Sequence, residues 1–159
     1  MSPNARENFL ELKIPPLVIV LVVAGFMWLV ARVAPEGGFR FSDQNGFAIG
    51  FALAGIVIIS LGMAAIRRAG TTVNPMKPES ASALVNTGIY TRTRNPMYLG
   101  LLLVLLAWAI FLSNSLTLLF LPVFIVYMNR FQIEPEERAL ASNFEEEFAA
   151  YKAKVRRWI

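Results

Sequence analysis

The sequence predicts an all-α fold: an integral membrane bundle of four membrane-crossing helices, followed by an amphipathic helix at the C-terminal end. Three observations predict it. The 159 residues are 56% hydrophobic and only 16% charged, against about 25% charged residues in an average soluble domain. The charges are segregated, so that residues 14–31, 46–66 and 96–129 contain none. A hydrocarbon core about 30 Å thick needs roughly 20 helical residues at about 1.5 Å each, and a helix is the element that satisfies its own backbone in lipid.

The first run follows a leader that mixes Arg6 and Lys13 with Glu7 and Glu11. Its apolar stretch is long and Pro35 makes a poor cleavage boundary, so it reads as a retained anchor, not a signal peptide. The second run carries Gly46, Gly50 and Ala54 four apart, a small-residue stripe expected to let helices approach closely. Residues 14–66 together read as an N-terminal transmembrane hairpin serving as scaffold, with Trp28 and Trp108 in packing or interface roles. The connection 67–95 is polar and holds Gly70, Pro75, Pro78 and Gly88. An irregular connection of that length covers or binds something.

The run 96–129 is too long for one span. It folds back at Ser113-Asn114-Ser115, whose side chains satisfy free backbone groups, leaving two short spans over 96–112 and 116–131 within a second hairpin, 96–131. Short spans call for bilayer thinning or snorkelling at their ends. Pro96 suits a first helical turn and Asn95 its cap, so the third span starts with free N–H groups that favour a carboxylate or other anion. Glu134 precedes Pro135, which predicts an end or kink there. A last helix over 135–158 places Leu140, Phe144, Phe148, Tyr151 and Val155 on one face, with Glu145, Glu146, Lys152 and Lys154 elsewhere. It is amphipathic and lies on the membrane or over the bundle. Residues 1–159 read as a single membrane domain.

Four spans put both termini and the 67–95 connection on one side. That side holds every Lys and Arg except Arg32 and Arg40, which places it, and both termini, in the cytoplasm. The net charge of +4 fits anionic lipid headgroups; a nucleic-acid face needs a basic patch free of the acidic tail residues. With no Cys and no His, thiolate nucleophiles, histidine bases and the commonest metal sites are excluded. No metal and no nucleic-acid partner are expected.

Two segments carry the chemistry. One is 88–100, with Gly88, Tyr90, Arg94, Asn95, Pro96, Met97, Tyr98 and Gly100, where Gly88 permits close backbone approach. The other is 130–138, with Arg130, Glu134, Glu136 and Glu137. Acids at a helix start also complement the helix dipole, so Glu136 and Glu137 have a structural reading beside the functional one.

Together these segments resemble the isoprenylcysteine carboxyl methyltransferase and phospholipid methyltransferase group of membrane enzymes. That group's signature, Gly-x-Tyr-x-x-x-Arg-His/Asn-Pro-x-Tyr-x-Gly, reads here Gly88, Tyr90, Arg94, Asn95, Pro96, Tyr98 and Gly100. The Arg and paired-Glu segment reads Arg130, Glu136 and Glu137, and the aromatic tail Phe144, Phe148 and Tyr151. Upstream, Gly70-Thr71-Thr72-Val73-Asn74-Pro75 resembles the bacterial members, which implies the inner membrane of a bacterium.

The resemblance implies S-adenosylmethionine as methyl donor, held at the cytoplasmic end of the last two spans and capped by the tail, and a lipophilic acceptor entering from the bilayer. Gly88, Tyr90, Arg94, Asn95, Pro96, Met97, Tyr98, Gly100, Glu136 and Glu137 are then the donor-binding candidates. Arg130, Asn95 and Tyr98 are the catalytic candidates.

The residue types suit that chemistry. Arg94, or the N–H groups near Pro96, Met97 and Tyr98, suits the donor's carboxylate. Glu136 or Glu137 suits its ammonium or ribose diol, and Tyr90 and Tyr98 suit its adenine or sulfonium, or else an interface belt. Arg130 either snorkels to headgroups or turns inward to grip an acidic acceptor. Asn95 stands where the eukaryotic enzymes carry His, and it orients a ligand without taking a proton. Two other readings stand beside this one: a sterol-reductase-like enzyme using NADPH, and a non-catalytic membrane scaffold.

Overall fold

Proline opens some helices of this chain and basic residues close others. The computed structural model describes residues 11–71 and 76–159; Arg6, Glu7 and the Thr72-Val73-Asn74-Pro75 stretch of the bacterial-type motif lie outside them. Helix α1 (Pro16–Val33) starts on a proline, whose missing N–H is no loss in a first turn. Helix α2 (Gln44–Arg68) has Arg67 and Arg68 in its last turn, where cations complement the free carbonyls. Helix α3 (Pro96–Leu112) again opens on proline and ends at Ser113, which has a left-handed φ of 56°. A 3-10 turn (Ser115–Leu119), helix α4 (Phe120–Met128), a π turn (Asn129–Ile133) and helix α5 (Glu134–Lys154) follow. The described residues hold no strand, only an isolated bridge between Gly38 and Asn114.

Helices α1 and α2 and the joined run Ser115–Lys154 are each long and apolar enough to cross a membrane, and α3 is a shorter apolar helix. Leu21, Phe26, Leu53, Ile56 and Val126 are more than half exposed, an outward apolar surface that suits lipid and not water. The chain is an integral membrane protein.

Helix α3 is the hub, packing on α1, α2 and α4. Helices α1 and α2 are consecutive in the chain, yet each makes its main contact with α3. The reason is a glycine seam. A Cβ on Gly55 would lie 2.6 Å from the Gly100 carbonyl oxygen, and one on Gly62 3.2 Å from Pro96 and Met97. Backbones meet there because neither glycine has a side chain. The expected stripe does not serve this purpose: nothing lies within 4 Å of a Cβ on Gly50, and one on Gly46 meets only Asp43, the residue just before its own helix. On the other side of α3, Ile19, Val20 and Met27 of α1 pack with Leu105, Ala109, Phe124 and Met128.

The α3–α4 turn falls at Ser113-Asn114-Ser115, as expected, and is tied by neutral groups. Asn114 Nδ2 donates to the Ala34 carbonyl (2.7 Å) and its Oδ1 accepts from the Leu116 N–H (3.0 Å). Thr117 Oγ1 donates to the Asn114 carbonyl (2.6 Å), Ser115 Oγ to that of Gly37 (3.1 Å) and Gln44 Nε2 to that of Ile110 (2.9 Å).

At the opposite end, the kink expected before Pro135 takes the form of the π turn Asn129–Ile133, which widens the helix by one residue and redirects it. Helix α5 leaves helical φ/ψ at Phe144 and Glu145, where Asn143 Nδ2 reaches the Glu79 carbonyl at 3.0 Å. The apolar face of α5 packs on Ile66, Leu84, Val85 and Tyr90 through Leu140, Phe144, Phe148, Tyr151 and Val155. It therefore covers the end of the bundle and the connection.

Candidate active site

The site begins as a turn. Gly88 takes a φ of +61°, a conformation that suits glycine, and opens the 3-10 turn Gly88–Thr91. Thr91 Oγ1 closes it on the Gly88 carbonyl (2.8 Å). The turn brings Tyr90 inward, and the buried Tyr151 hydroxyl of α5 donates to the Tyr90 carbonyl (2.7 Å). Three consecutive residues, Thr93, Arg94 and Asn95, all bind the C-terminal tail. Thr93 Oγ1 and Asn95 Nδ2 donate to the Arg157 carbonyl (3.3 and 2.9 Å), and the Arg94 N–H donates to that of Arg156 (3.0 Å). Asn95 therefore does not cap α3 with its side chain; its amide holds the tail.

Arg94 is the hub of this end. Its Nη1 donates to the Lys152 and Val155 carbonyls (3.1 and 2.8 Å) and its Nη2 to Glu137 Oε1 (2.8 Å). Its Nε is buried without a partner. Glu137 also accepts from Arg157, Nε to Oε1 at 3.1 Å and Nη2 to Oε2 at 2.8 Å, and has Lys152 Nζ 3.7 Å away. Burial raises the Glu137 carboxyl, but the hydrogen bonds from Arg157 and Arg94 outweigh it and hold the group below its ordinary range. An α-helix turns about 100° per residue, so the adjacent Glu136 faces elsewhere, where the Tyr98 hydroxyl donates to it. Burial pushes Glu136 up to about 8, against the lowering effect of the Tyr98 hydrogen bond and with a further rise from Glu137. Burial, then Glu136, then Tyr151 raise the Tyr90 phenol above its ordinary value.

These groups stand at the polar end of one cavity. It holds about 870 Å³ of empty space, part of it open to solvent. Ile66, Pro78, Leu84, Val85, Met97 and Leu140 form apolar walls; Tyr90, Arg94, Tyr98, Glu136, Glu137 and Tyr151 supply the polar lining. Among the described residues no cluster of three carboxylates forms a metal-ligand set.

Of the sequence candidates, Tyr90, Arg94, Asn95, Pro96, Met97, Tyr98, Glu136 and Glu137 line this cavity. Gly88 shapes the turn, and Gly100 lets α2 and α3 meet. Arg130 does not line it. Its exposed guanidinium pairs with Glu11 (3.1 Å) and with Glu134 one turn on (3.4 Å), and Arg138 also pairs with Glu11. Its counter-charge comes from Glu11, whose side chain is largely buried, and from the half-exposed Glu134, not from Glu137 at the cavity.

Sequence reasoning missed Arg157, Thr93 and the wall formed by Thr71 and residues 78–85. Thr71 Oγ1 accepts from the Ser82 N–H (2.9 Å) and ties the two parts of that wall together. The signal for Arg157 was only a basic pair at the end of an amphipathic helix, which reads equally as a headgroup contact.

The chain matches the phospholipid methyltransferase family over residues 44–147. An uncharacterized protein of Haemophilus influenzae is 54% identical over 63 residues, 40% of this chain and all of that protein. Protein-S-isoprenylcysteine O-methyltransferase of Saccharomyces cerevisiae is 31% identical over 132 residues, 74% of this chain and 54% of the yeast protein's length. No solved structure matches the chain significantly.

Proposed function

Because this chain belongs to the phospholipid methyltransferase family, we propose that it transfers a methyl group from S-adenosylmethionine to a lipophilic carboxylate or amine at the cytoplasmic face of a bacterial inner membrane. The observation that carries the reading is the polar end of the cavity: the Glu136 carboxyl and the Tyr90 and Tyr98 phenols beside a buried, unpartnered Arg94 Nε.

The residues present fit such a donor. A carboxyl flanked by phenol rings suits a sulfonium or ammonium, by charge and by cation–π attraction. Arg94 Nε and the free N–H groups in the first turn of α3, at Met97 and Tyr98, suit its carboxylate. The apolar walls suit adenine and the lipophilic acceptor. When bound, S-adenosylmethionine supplies an electrophilic methyl group on a cationic sulfur. The protein's part is to orient the two reactants and keep water out, which α5 does by lying over the cavity. A carboxylate acceptor needs no base. For an amine acceptor, Glu136 is the residue placed to take a proton, and Asn95 is not, because an amide does not titrate at neutral pH.

In this reading α1, α2, α3 and α4 with its π turn make four spans. Both termini and residue 80 face the cytoplasm. Labelling of a Ser80→Cys variant from the cytoplasmic side only is the expected result; periplasmic labelling would turn the site to the wrong face.

The deciding experiment is calorimetry on the purified protein with S-adenosylhomocysteine and with a nicotinamide dinucleotide phosphate. Binding of the first alone is expected, followed by transfer of labelled methyl into a lipid extract and mass spectrometry of the product. Binding of the dinucleotide in its place, or of neither, removes the methyltransferase reading.

A further inference from the structure

Glu137 is saturated by its own protein. Both of its oxygens are taken by Arg94 and Arg157, with Lys152 nearby. We propose that Arg157 is a positioning residue that fixes Glu137 and, through it, the Arg94 guanidinium at the cavity wall, making the segment 155–159 a built part of the site. The inference takes its test ligand from the methyltransferase reading and nothing else.

The grip is two-pronged, Nε on one carboxylate oxygen and Nη2 on the other, a geometry that lysine does not copy. The backbone that carries the guanidinium is fixed, because the Arg157 carbonyl accepts from Thr93 and Asn95. The next residue is pinned as well: Trp158 Nε1 donates to Asn129 Oδ1 of the π turn (3.0 Å). Arg94 and Glu137 have side chains only 9% and 12% exposed, so their pairing tolerates little solvent compensation. Without Arg157, Oε2 keeps only Lys152, 3.7 Å away and 53% exposed. The strap joins two ends of the site that are about sixty residues apart in the chain, and it lies beyond residue 147, where the family match stops.

The test uses the full chain in detergent with Arg157→Ala, Arg157→Lys, Glu137→Gln and the Arg157→Ala/Glu137→Gln pair. Two quantities are read: affinity for S-adenosylhomocysteine, and the rate of tryptic cleavage after Lys154 and Arg156, which needs no ligand. Arg157→Ala is expected to weaken binding by about tenfold or more and to speed cleavage, with little rescue by Arg157→Lys. Because Arg157 acts through Glu137, Arg157→Ala adds nothing further in the Glu137→Gln background. Additive losses overturn the proposal, as does wild-type affinity in Arg157→Lys, the variant that keeps the charge if Arg157→Ala does not fold. If the wild type binds no S-adenosylhomocysteine, the methyltransferase reading fails and cleavage alone decides: non-additive release upholds the strap, additive release sinks it.

Discussion

The two ends of the bundle each carry a buried polar knot, and they differ in charge and in what they enclose. At the α3–α4 turn the knot is neutral. Asn114, 2% exposed, uses both ends of its amide on backbone groups, and Thr117, Ser115 and Gln44 do the same for nearby carbonyls. Nothing remains to offer a ligand. At the other end the knot is ionic, built on Arg94, Glu137 and Arg157, and it borders a cavity into which Glu136 and two tyrosines project. An orphan polar atom does not by itself mark a site, since Tyr127 Oη and Gln132 Oε1 are also buried without partners and neither residue lines the cavity. Charge, an orphan and a cavity coincide only at the ionic end. Neutral saturated knots fasten loops; an ionic knot with an acid left over is equipped to bind.

The comparison breaks most readily at Arg94. Arg94→Ala removes one partner of a buried ion pair, at a cost of about 3–5 kcal/mol, and frees two tail carbonyls. A large drop in thermal midpoint and loss of donor binding are expected. A change no greater than that of a neutral-knot variant would erase the distinction between the ends.

Glu136→Gln sharpens it. Loss of a charge-assisted contact worth about 1.5–3 kcal/mol lowers affinity for S-adenosylhomocysteine roughly 10- to 150-fold, while the midpoint holds or rises, because an acid shifted up to about 8 by burial is replaced by a neutral isostere. Asn114→Ala is the mirror image. It strands buried backbone groups at about 1–3 kcal/mol, so the midpoint falls and affinity does not. Unfolding and calorimetry on the two variants cross if the comparison holds.

The two acids also titrate in opposite senses. Glu136 has a folded value above its unfolded one, so the folded state binds the extra proton, and stability declines as pH rises from about 4.5 toward 8. Affinity for a cationic ligand rises over the same window, and Glu136→Gln flattens that rise. Glu137 has a folded value below its ordinary one, so its contribution is present above pH 4.5 and is lost as pH falls below that. Trp158 fluorescence in a background lacking Trp28 and Trp108 reports release of the tail in acid.

The smallest effect belongs to Arg130. Its guanidinium is 44% exposed, and its pair with the similarly exposed Glu134 is of the kind worth about 0–1 kcal/mol. Arg130→Lys leaves donor affinity within about twofold by calorimetry, given that small energy. A larger loss would return Arg130 to the site.

Much of the fold was legible because it depends on local pattern. The start of α3 at Pro96, the Asn114 turn and the amphipathic face of α5 follow from proline geometry, small polar residues and helical spacing. Most signature residues were legible as a group for the same reason: a tight turn and a helix start keep 90–98 together. The helix seam was misplaced, because Gly46 and Gly50 have the same spacing logic as Gly55 and Gly62, and spacing does not say which face of α2 meets α3.

By itself the sequence determined the apolar runs and the gathering of charge between them, since hydrophobicity and charge act residue by residue, while the pairing of an aromatic-Arg turn with two acids came from the family resemblance. Only the tertiary structure decided that Glu136 opens to the cavity while Glu137 is saturated, that Arg130 turns outward, and that Arg157 closes on residues about sixty positions away. Adjacent acids on a helix are separated by rotation, and three cations meet at one carboxylate by geometry. Neither rotation nor long-range proximity is written in residue type or spacing.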